Sequence, residues 1–229
     1  MKRALVICSG GLDSTTMAIL KKSKGYEVDL ITFDYGQKAL NEITRSKVLA
    51  EKLNAKHIVI DLSNLAYIFG SKNQLTNHDV EVKDNFTGSV VVPLRNSMFV
   101  NMSYIYAMTN SYDEVVLGSH LDDMTLDDNN EYMFPDCSPE FFNAMNMAYQ
   151  KGKRKEDYNT IITSASIEGY YKSDLIKLCN DINSQLMFDS WSCYLNDGIQ
   201  CGTCDSCNNR KRAFEKSGIV DKTNYQVYQ

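Results

Sequence analysis

The sequence predicts an α/β fold, a doubly wound parallel sheet with a small carboxyl-terminal module, and three observations carry that expectation. Short, near-continuous apolar runs alternate with helical patterns, as parallel strands buried on both faces require. The first run, Ala4 to Cys8, ends in Ser9-Gly10-Gly11-Leu12-Asp13-Ser14 and passes directly into a helical pattern. A turn so placed faces the crevice at the carboxyl ends of the strands, where open sheets bind ligands. Four cysteines crowd between positions 193 and 207, a density that points to a metal-held knuckle.

Each element follows in order. At 229 residues with 43% hydrophobic content, the chain can bury a full core. The expected division is an α/β domain over 1–185 and a cysteine module over 186–229 packed on it. Ser14 to Lys24 reads as a helix with Met17, Ile19 and Leu20 facing inward and Gly25 placed to end it. Val28 to Phe33 is the second strand, Asp34-Tyr35-Gly36-Gln37 sits at its carboxyl end, and a helix runs from about Asn41 to Leu53. His57 to Asp61 is the third strand, giving β-α-β-α-β with right-handed crossovers. From Leu62 to about Gly88 periodicity is poor, which predicts a long loop with a short helix at most. Val90 to Asn96 leads into a helix from Asn96 to about Asn110, and Val115 to Gly118 is the next strand. Gly118-Ser119-His120-Leu121-Asp122-Asp123 leaves that strand toward the same crevice, and Met124 to Tyr132 reads as a solvated acidic loop. Pro139 to Gln150 is helical with proline in the first turn and Gly152 as a stop, Asn159 to Thr163 is a last strand, and Lys172 to Asn183 a helix.

The opening turn is built for an anion. A strand feeding Gly-Gly and then a helix leaves several backbone N–H groups pointing at one small volume, with the positive helix end behind them. A Cβ would hold that backbone away from phosphate oxygens, the hydroxyls of Ser9 and Ser14 can donate to them, and Asp13 can hold a Mg²⁺. No Gly-Lys-Ser/Thr tripeptide occurs in the chain, so this is not the commoner phosphate loop. The six residues resemble the PP-loop of the ATP pyrophosphatases, which transfer AMP to an acceptor oxygen and release pyrophosphate.

Charge and cysteine usage narrow the rest. A net charge of −5 argues against non-specific binding to nucleic acid or to an anionic membrane, so the expected partners are small molecules. No apolar run is long enough to span a bilayer, and Met1-Lys2-Arg3 leads into a short strand rather than a signal region. A cytoplasmic location is the expectation. Seven cysteines fit a reduced compartment with a metal site better than a disulfide framework. Cys193, Cys201, Cys204 and Cys207 form Cys-x7-Cys-x2-Cys-x2-Cys, which suits a closed structural Zn²⁺ site, with an iron–sulfur cluster as the rival. Cys8 and Cys179 read as core packing, while Cys137, after Pro135-Asp136, leaves structural and functional roles open.

Taken together, the residues resemble the 7-cyano-7-deazaguanine synthase family. The resemblance rests on Ser9 to Ser14, Tyr35-Gly36-Gln37, Val92-Pro93-x-Arg95-Asn96, Gly118-x-His120-x-Asp122-Asp123, Pro135-Asp136-Cys137-x-Pro139-Glu140-Phe141, and Trp191-Ser192-Cys193-Tyr194 followed by Cys201-Gly202-x-Cys204-Asp205-Ser206-Cys207. These blocks span nearly the whole chain; departures from the family's common pattern stand at Ala39, Leu94 and Ser138. The resemblance implies an adenine nucleotide alpha hydrolase-like, Rossmann-like sheet. It further implies ATP-dependent conversion of 7-carboxy-7-deazaguanine and ammonia to the nitrile through adenylated intermediates, with Mg²⁺ and Zn²⁺, in a homodimer. On that reading Ser9, Gly10, Gly11, Leu12, Asp13 and Ser14 bind ATP, and Asp13, Arg95, Asp136 and Lys172 are catalytic. Phe33, Tyr35, Gln37, His120, Asp122 and Asp123 contact substrate, through aromatic stacking and edge contacts from Gln37. Three alternatives stay open: a PP-loop enzyme of tRNA thiolation, a relative joining the deazaguanine acyl group to another amine, and a non-catalytic zinc-stabilised nucleotide-binding protein.

Overall fold

The computed structural model describes residues 1–37, 41–69, 92, 94–126, 130–132, 134–182, 185–194 and 198–226. Five strands form one sheet among these residues: β1 (Arg3–Ile7), β2 (Glu27–Asp34), β3 (His57–Asp61), β4 (Glu114–Leu117) and β5 (Ile161–Ser164). Their order is β3-β2-β1-β4-β5, and every pairing is parallel, with Val6 opposite Leu30 on one side and Val116 on the other. The doubly wound sheet expected from the alternating pattern is the sheet that forms. Because the chain leaves β1 in one direction and later returns on its other side, the topological switch lies beside the carboxyl end of β1.

Seven α-helices cover the sheet among the described residues: α1 (Leu12–Ser23), α2 (Asn41–Leu53), α3 (Arg95–Thr109), α4 (Pro139–Gly152), α5 (Lys172–Asp181), α6 (Gln185–Phe188) and α7 (Asp205–Ser217). The side-chain alternation of β1 sorts them into two layers. Ala4 and Val6 face a core built from α1, α2, α5, α6 and α7, through residues such as Met17, Leu49, Ile176, Met187 and Phe214. Leu5 faces the opposite core, where Phe99 and Val100 of α3 and Phe142 of α4 cover Ile31, Val115 and Ile162. Both faces of the central strand are therefore dry, which is why Ala4, Leu5 and Val6 are all fully buried.

Strands and helices fall within two residues or so of their expected bounds, as is usual for element ends. The long segment after β3 opens with a 3₁₀ helix, Ser63–Phe69, and its remainder lies outside the described residues, as do Ala39, Pro93, Asn183 and part of the acidic segment before Tyr132. The sequence pattern announced neither the short helix α6 nor the longer α7. The inward face of α7 carries Cys207, Arg210, Ala213, Phe214 and Ser217, so a buried arginine interrupts what would otherwise be an apolar stripe. Gly218, at φ +73°, ends α7 in the left-handed conformation that glycine adopts without strain.

Candidate functional site

The glycine turn between β1 and α1 is shaped by two close approaches. Gly10 lies at φ +79°, and a Cβ there would strike the backbone carbonyl of Glu42, so both conformation and space demand glycine. At the end of β4, a Cβ on Gly118 would lie 2.6 Å from the Ser14 nitrogen, and this glycine lets the strand end press against the first turn of α1. Leu12, Asp13 and Ser14 begin that helix, positions whose N–H groups have no acceptor within the helix. The Leu12 side chain is itself buried in the core, so what it offers a nucleotide is its backbone. The Ser9 hydroxyl accepts from the Gly11 N–H at 3.2 Å, and the Ser14 hydroxyl donates to the Gly11 carbonyl at 3.3 Å.

A charged cluster closes one wall. Lys172, at the start of α5, places Nζ 3.0 Å from Asp13 Oδ2, and His120 Nε2 lies 3.5 Å from Asp13 Oδ1. Burial opposes ionisation of Asp13, but Lys172 and His120 outweigh it and hold the carboxyl well below the usual range. Burial likewise opposes the charged form of His120, yet Asp123 and Asp13 prevail and raise its pKa. Asp123 accepts the His120 backbone N–H at 2.9 Å, and Asp122 accepts that of Lys172 at 2.8 Å. Burial raises the Asp123 carboxyl.

The facing wall comes from β2 and α3. Arg95 donates to the Tyr35 hydroxyl at 3.0 Å and lies over the rings of Tyr35 and Phe99, an aromatic seat suited to a guanidinium. Phe33 stacks on Phe99 with centroids 4.5 Å apart. The Gln37 amide oxygen accepts the Tyr35 N–H, and its nitrogen donates to the Phe33 carbonyl. Gln37 thus fixes the loop that carries Tyr35, and Phe33 already has a ring on it; Tyr35 is the aromatic of this set that reaches toward a cation. Asp136 accepts the Asn96 N–H at 3.1 Å at the head of α3, and burial raises its pKa. Beside it Cys137 takes a hydrogen bond from the Asn96 side chain, and burial pushes its thiol up, away from the reactive thiolate.

The structure therefore gathers Asp13, His120, Asp122, Asp123 and Lys172 on one side of the turn and Tyr35, Arg95 and Asp136 on the other. Two participants were not assigned a site role from the sequence. Trp191 donates its backbone N–H to the Gly10 carbonyl at 2.9 Å, bracing the turn from behind. Glu42, in the first turn of α2, reaches the same crevice, and its only sequence signal is an acidic residue soon after a strand end. Among the described residues the buried atoms Asp13 Oδ1, Arg95 Nε and His120 Nδ1 have no hydrogen-bond partner. Buried polar atoms are rarely left so, and three in one crevice await a ligand that is polar and charged.

Behind the turn lies the cysteine knuckle. The sulfurs of Cys193, Cys201, Cys204 and Cys207 are all buried and within 4.8 Å of one another, with Cys201 and Cys207 3.9 Å apart. Thiolates about 2.3 Å from a tetrahedral zinc would sit about 3.8 Å from each other. The Cys204 and Thr203 N–H groups donate to Cys201 Sγ at 3.3 and 3.4 Å, and that of Cys201 donates to Cys193 Sγ at 3.4 Å. Such donors suit sulfurs that carry negative charge.

Sheet order, switch-point crevice and glycine turn define an α/β protein of the PP-loop type, with a four-cysteine knuckle that could hold a metal ion at its back. The family model described as "Queuosine biosynthesis protein QueC" matches residues 3–218, and the chain belongs to that family of enzymes. A 7-cyano-7-deazaguanine synthase of Thermoplasma volcanium is 32% identical over 99% of this chain and 92% of its own. One of Oceanobacillus iheyensis is 35% identical over 98% of each chain. Such full-length matches do not favour the tRNA-thiolation alternative.

Proposed function

We propose that the protein is an ATP-dependent carbon–nitrogen ligase that converts 7-carboxy-7-deazaguanine and ammonia to 7-cyano-7-deazaguanine. The substrate carboxylate attacks the α-phosphorus of ATP, ammonia displaces AMP to give the amide, and a second activation of the amide oxygen leaves the nitrile. The observation that supports this most is the glycine turn itself, whose helix-head amides face a crevice flanked by Lys172 and Arg95.

The roles follow from position. Ser9 to Ser14 cradle the leaving pyrophosphate with backbone amides and helix dipole. Arg95, held over two rings, braces the α-phosphate or the acceptor carboxylate, and Lys172 neutralises phosphate charge beside Asp13. Tyr35 lies against the base, while His120, Asp122, Asp123 and Asp136 orient Lys172 and the heads of their segments. Asp13 would hold a Mg²⁺, and its buried Oδ1, which accepts no hydrogen bond and has His120 at ion-pair distance, fits a cation; when bound, that metal supplies neutralisation of phosphate oxygens. Cys193, Cys201, Cys204 and Cys207 would hold a structural Zn²⁺, the sulfur spacing being the support. The module they anchor, 186–229, serves the α/β domain as a brace. The negative net charge supports small-molecule substrates without direct nucleic acid binding; a cytoplasmic homodimer is what the family resemblance and the lack of a membrane-spanning run in the sequence support.

The test is incubation of the purified protein with ATP, Mg²⁺, an ammonium salt and 7-carboxy-7-deazaguanine, following pyrophosphate and the base by mass spectrometry. Pyrophosphate and a nitrile are expected. No pyrophosphate rejects the ligase reading, and amide accumulating without nitrile rejects the final step.

A further inference from the structure

Capture of ammonia and the later collapse of the activated amide to the nitrile each shed protons from nitrogen, and the groups already placed in the crevice are poor receivers. Asp13 is paired with Lys172 and His120. Asp122, Asp123 and Asp136 each accept a backbone N–H. Cys137 is held as a thiol by burial. Glu42 differs from all of these. Its carboxyl has neither a hydrogen bond nor an ion pair among the described residues, and its backbone carbonyl lies directly behind Gly10. Its charge is felt by Cys8 at the base of the glycine turn, by Tyr35 and Arg95 on the facing wall, and by Tyr194 next to the knuckle. One unengaged carboxyl thus belongs to the residue whose backbone backs the phosphate turn, and it lies within electrostatic reach of Arg95 on the cationic wall.

We propose that Glu42 is a further catalytic residue, the proton acceptor for the incoming nitrogen nucleophile. The inference rests on the ligase reading above. In amide formation the ammonia lone pair makes the new C–N bond, the acyl C–O bond to the adenylate breaks, and its electron pair leaves on the AMP phosphate oxygen. One N–H proton passes to a Glu42 carboxylate oxygen, and the neutral acid then returns it to water. Burial pushes the Glu42 carboxyl up to about 7, against the pull of Arg95. A base that exchanges its proton at neutral pH is the most effective kind.

The experiment separates activation from capture. Without ammonia, adenylation is read as carboxylate-dependent exchange of labelled pyrophosphate into ATP; with ammonia, amide is read by mass spectrometry. Glu42→Gln should keep exchange within about 3-fold of the parent enzyme while amide formation falls at least about 100-fold, the usual worth of a general base. Glu42→Asp should recover part of that loss, and it stands in if the Gln variant does not fold. In the parent enzyme the amide-forming kcat should fall as pH drops below about 7, a limb missing from Glu42→Gln; the charged and titratable groups facing Glu42 are Arg95, Tyr35, Cys8 and Tyr194. Amide formation at the parent rate in Glu42→Gln, or exchange falling in parallel with amide, overturns the proposal. A parent enzyme with no carboxylate-dependent exchange overturns the ligase reading instead.

Discussion

The glycine turn and the cysteine knuckle lie back to back, joined by the Trp191–Gly10 hydrogen bond, yet they are finished to different degrees. Every sulfur in the knuckle is buried at metal spacing, and backbone N–H groups already point at two of them. In the crevice, three buried polar atoms have no partner among the described residues, and an aspartate is held ionised by a lysine and a histidine. One region is saturated and the other is poised. A structural site minimises its own free energy, whereas a reaction site keeps groups in readiness for charges that arrive later.

That contrast can be broken in order of expected effect. Asp13→Ala removes the hub of the poised cluster, and turnover measured as pyrophosphate release should drop at least about 100-fold, with zinc content and circular dichroism unchanged. Cys207→Ser strikes the saturated region instead. Losing a structural metal should cost roughly 3–5 kcal/mol and lower Tm by about 10 °C, with stoichiometric zinc lost by elemental analysis. If Asp13→Ala unfolds the protein, or Cys207→Ser leaves Tm alone, the division of labour is wrong.

Gly118→Ala probes the seam between strand β4 and helix α1. The added methyl must push on the Ser14 backbone, so about 1–3 kcal/mol of overpacking strain is expected, read as a lower Tm together with a raised KM for ATP. The smallest effect belongs to a network remote from both regions. Lys21 is buried against Glu114 and Glu168, with Lys24 also on Glu168. Burial opposes the charge on Glu168, but Lys21 and Lys24 prevail and lower its pKa from the ordinary 4.5. A depressed carboxyl adds stability above that ordinary value and loses it as pH falls further. Tm should therefore decline below pH 4.5, Glu168→Gln should flatten that decline, and at neutral pH neither zinc content nor turnover should change.

Much of this was legible in the chain. The central strands β1, β2 and β4 carry apolar runs buried on both faces, so their positions survive any reading that looks for continuity. The four cysteines and Ser9 to Ser14 stand out through spacing alone, and the fold gathers the four sulfurs and shapes the glycine turn where that spacing pointed. What stayed hidden depends on contacts between distant segments. Helix α7 escaped because Arg210 is buried through bonds to Ser190, Ser192, Thr223 and the Met187 carbonyl, partners no local pattern reveals. Glu42 looks like an ordinary acidic first-turn residue until the fold carries it beside Arg95. Gln37 reads as a ligand contact, whereas its amide closes a loop onto its own backbone.

The bond from the Trp191 amide to the Gly10 carbonyl also sets a timetable. A chain emerging from the ribosome exposes the glycine turn well before residue 191 follows to back it. Any fragment ending before Trp191 should therefore be unable to activate an acid, however well its sheet has folded.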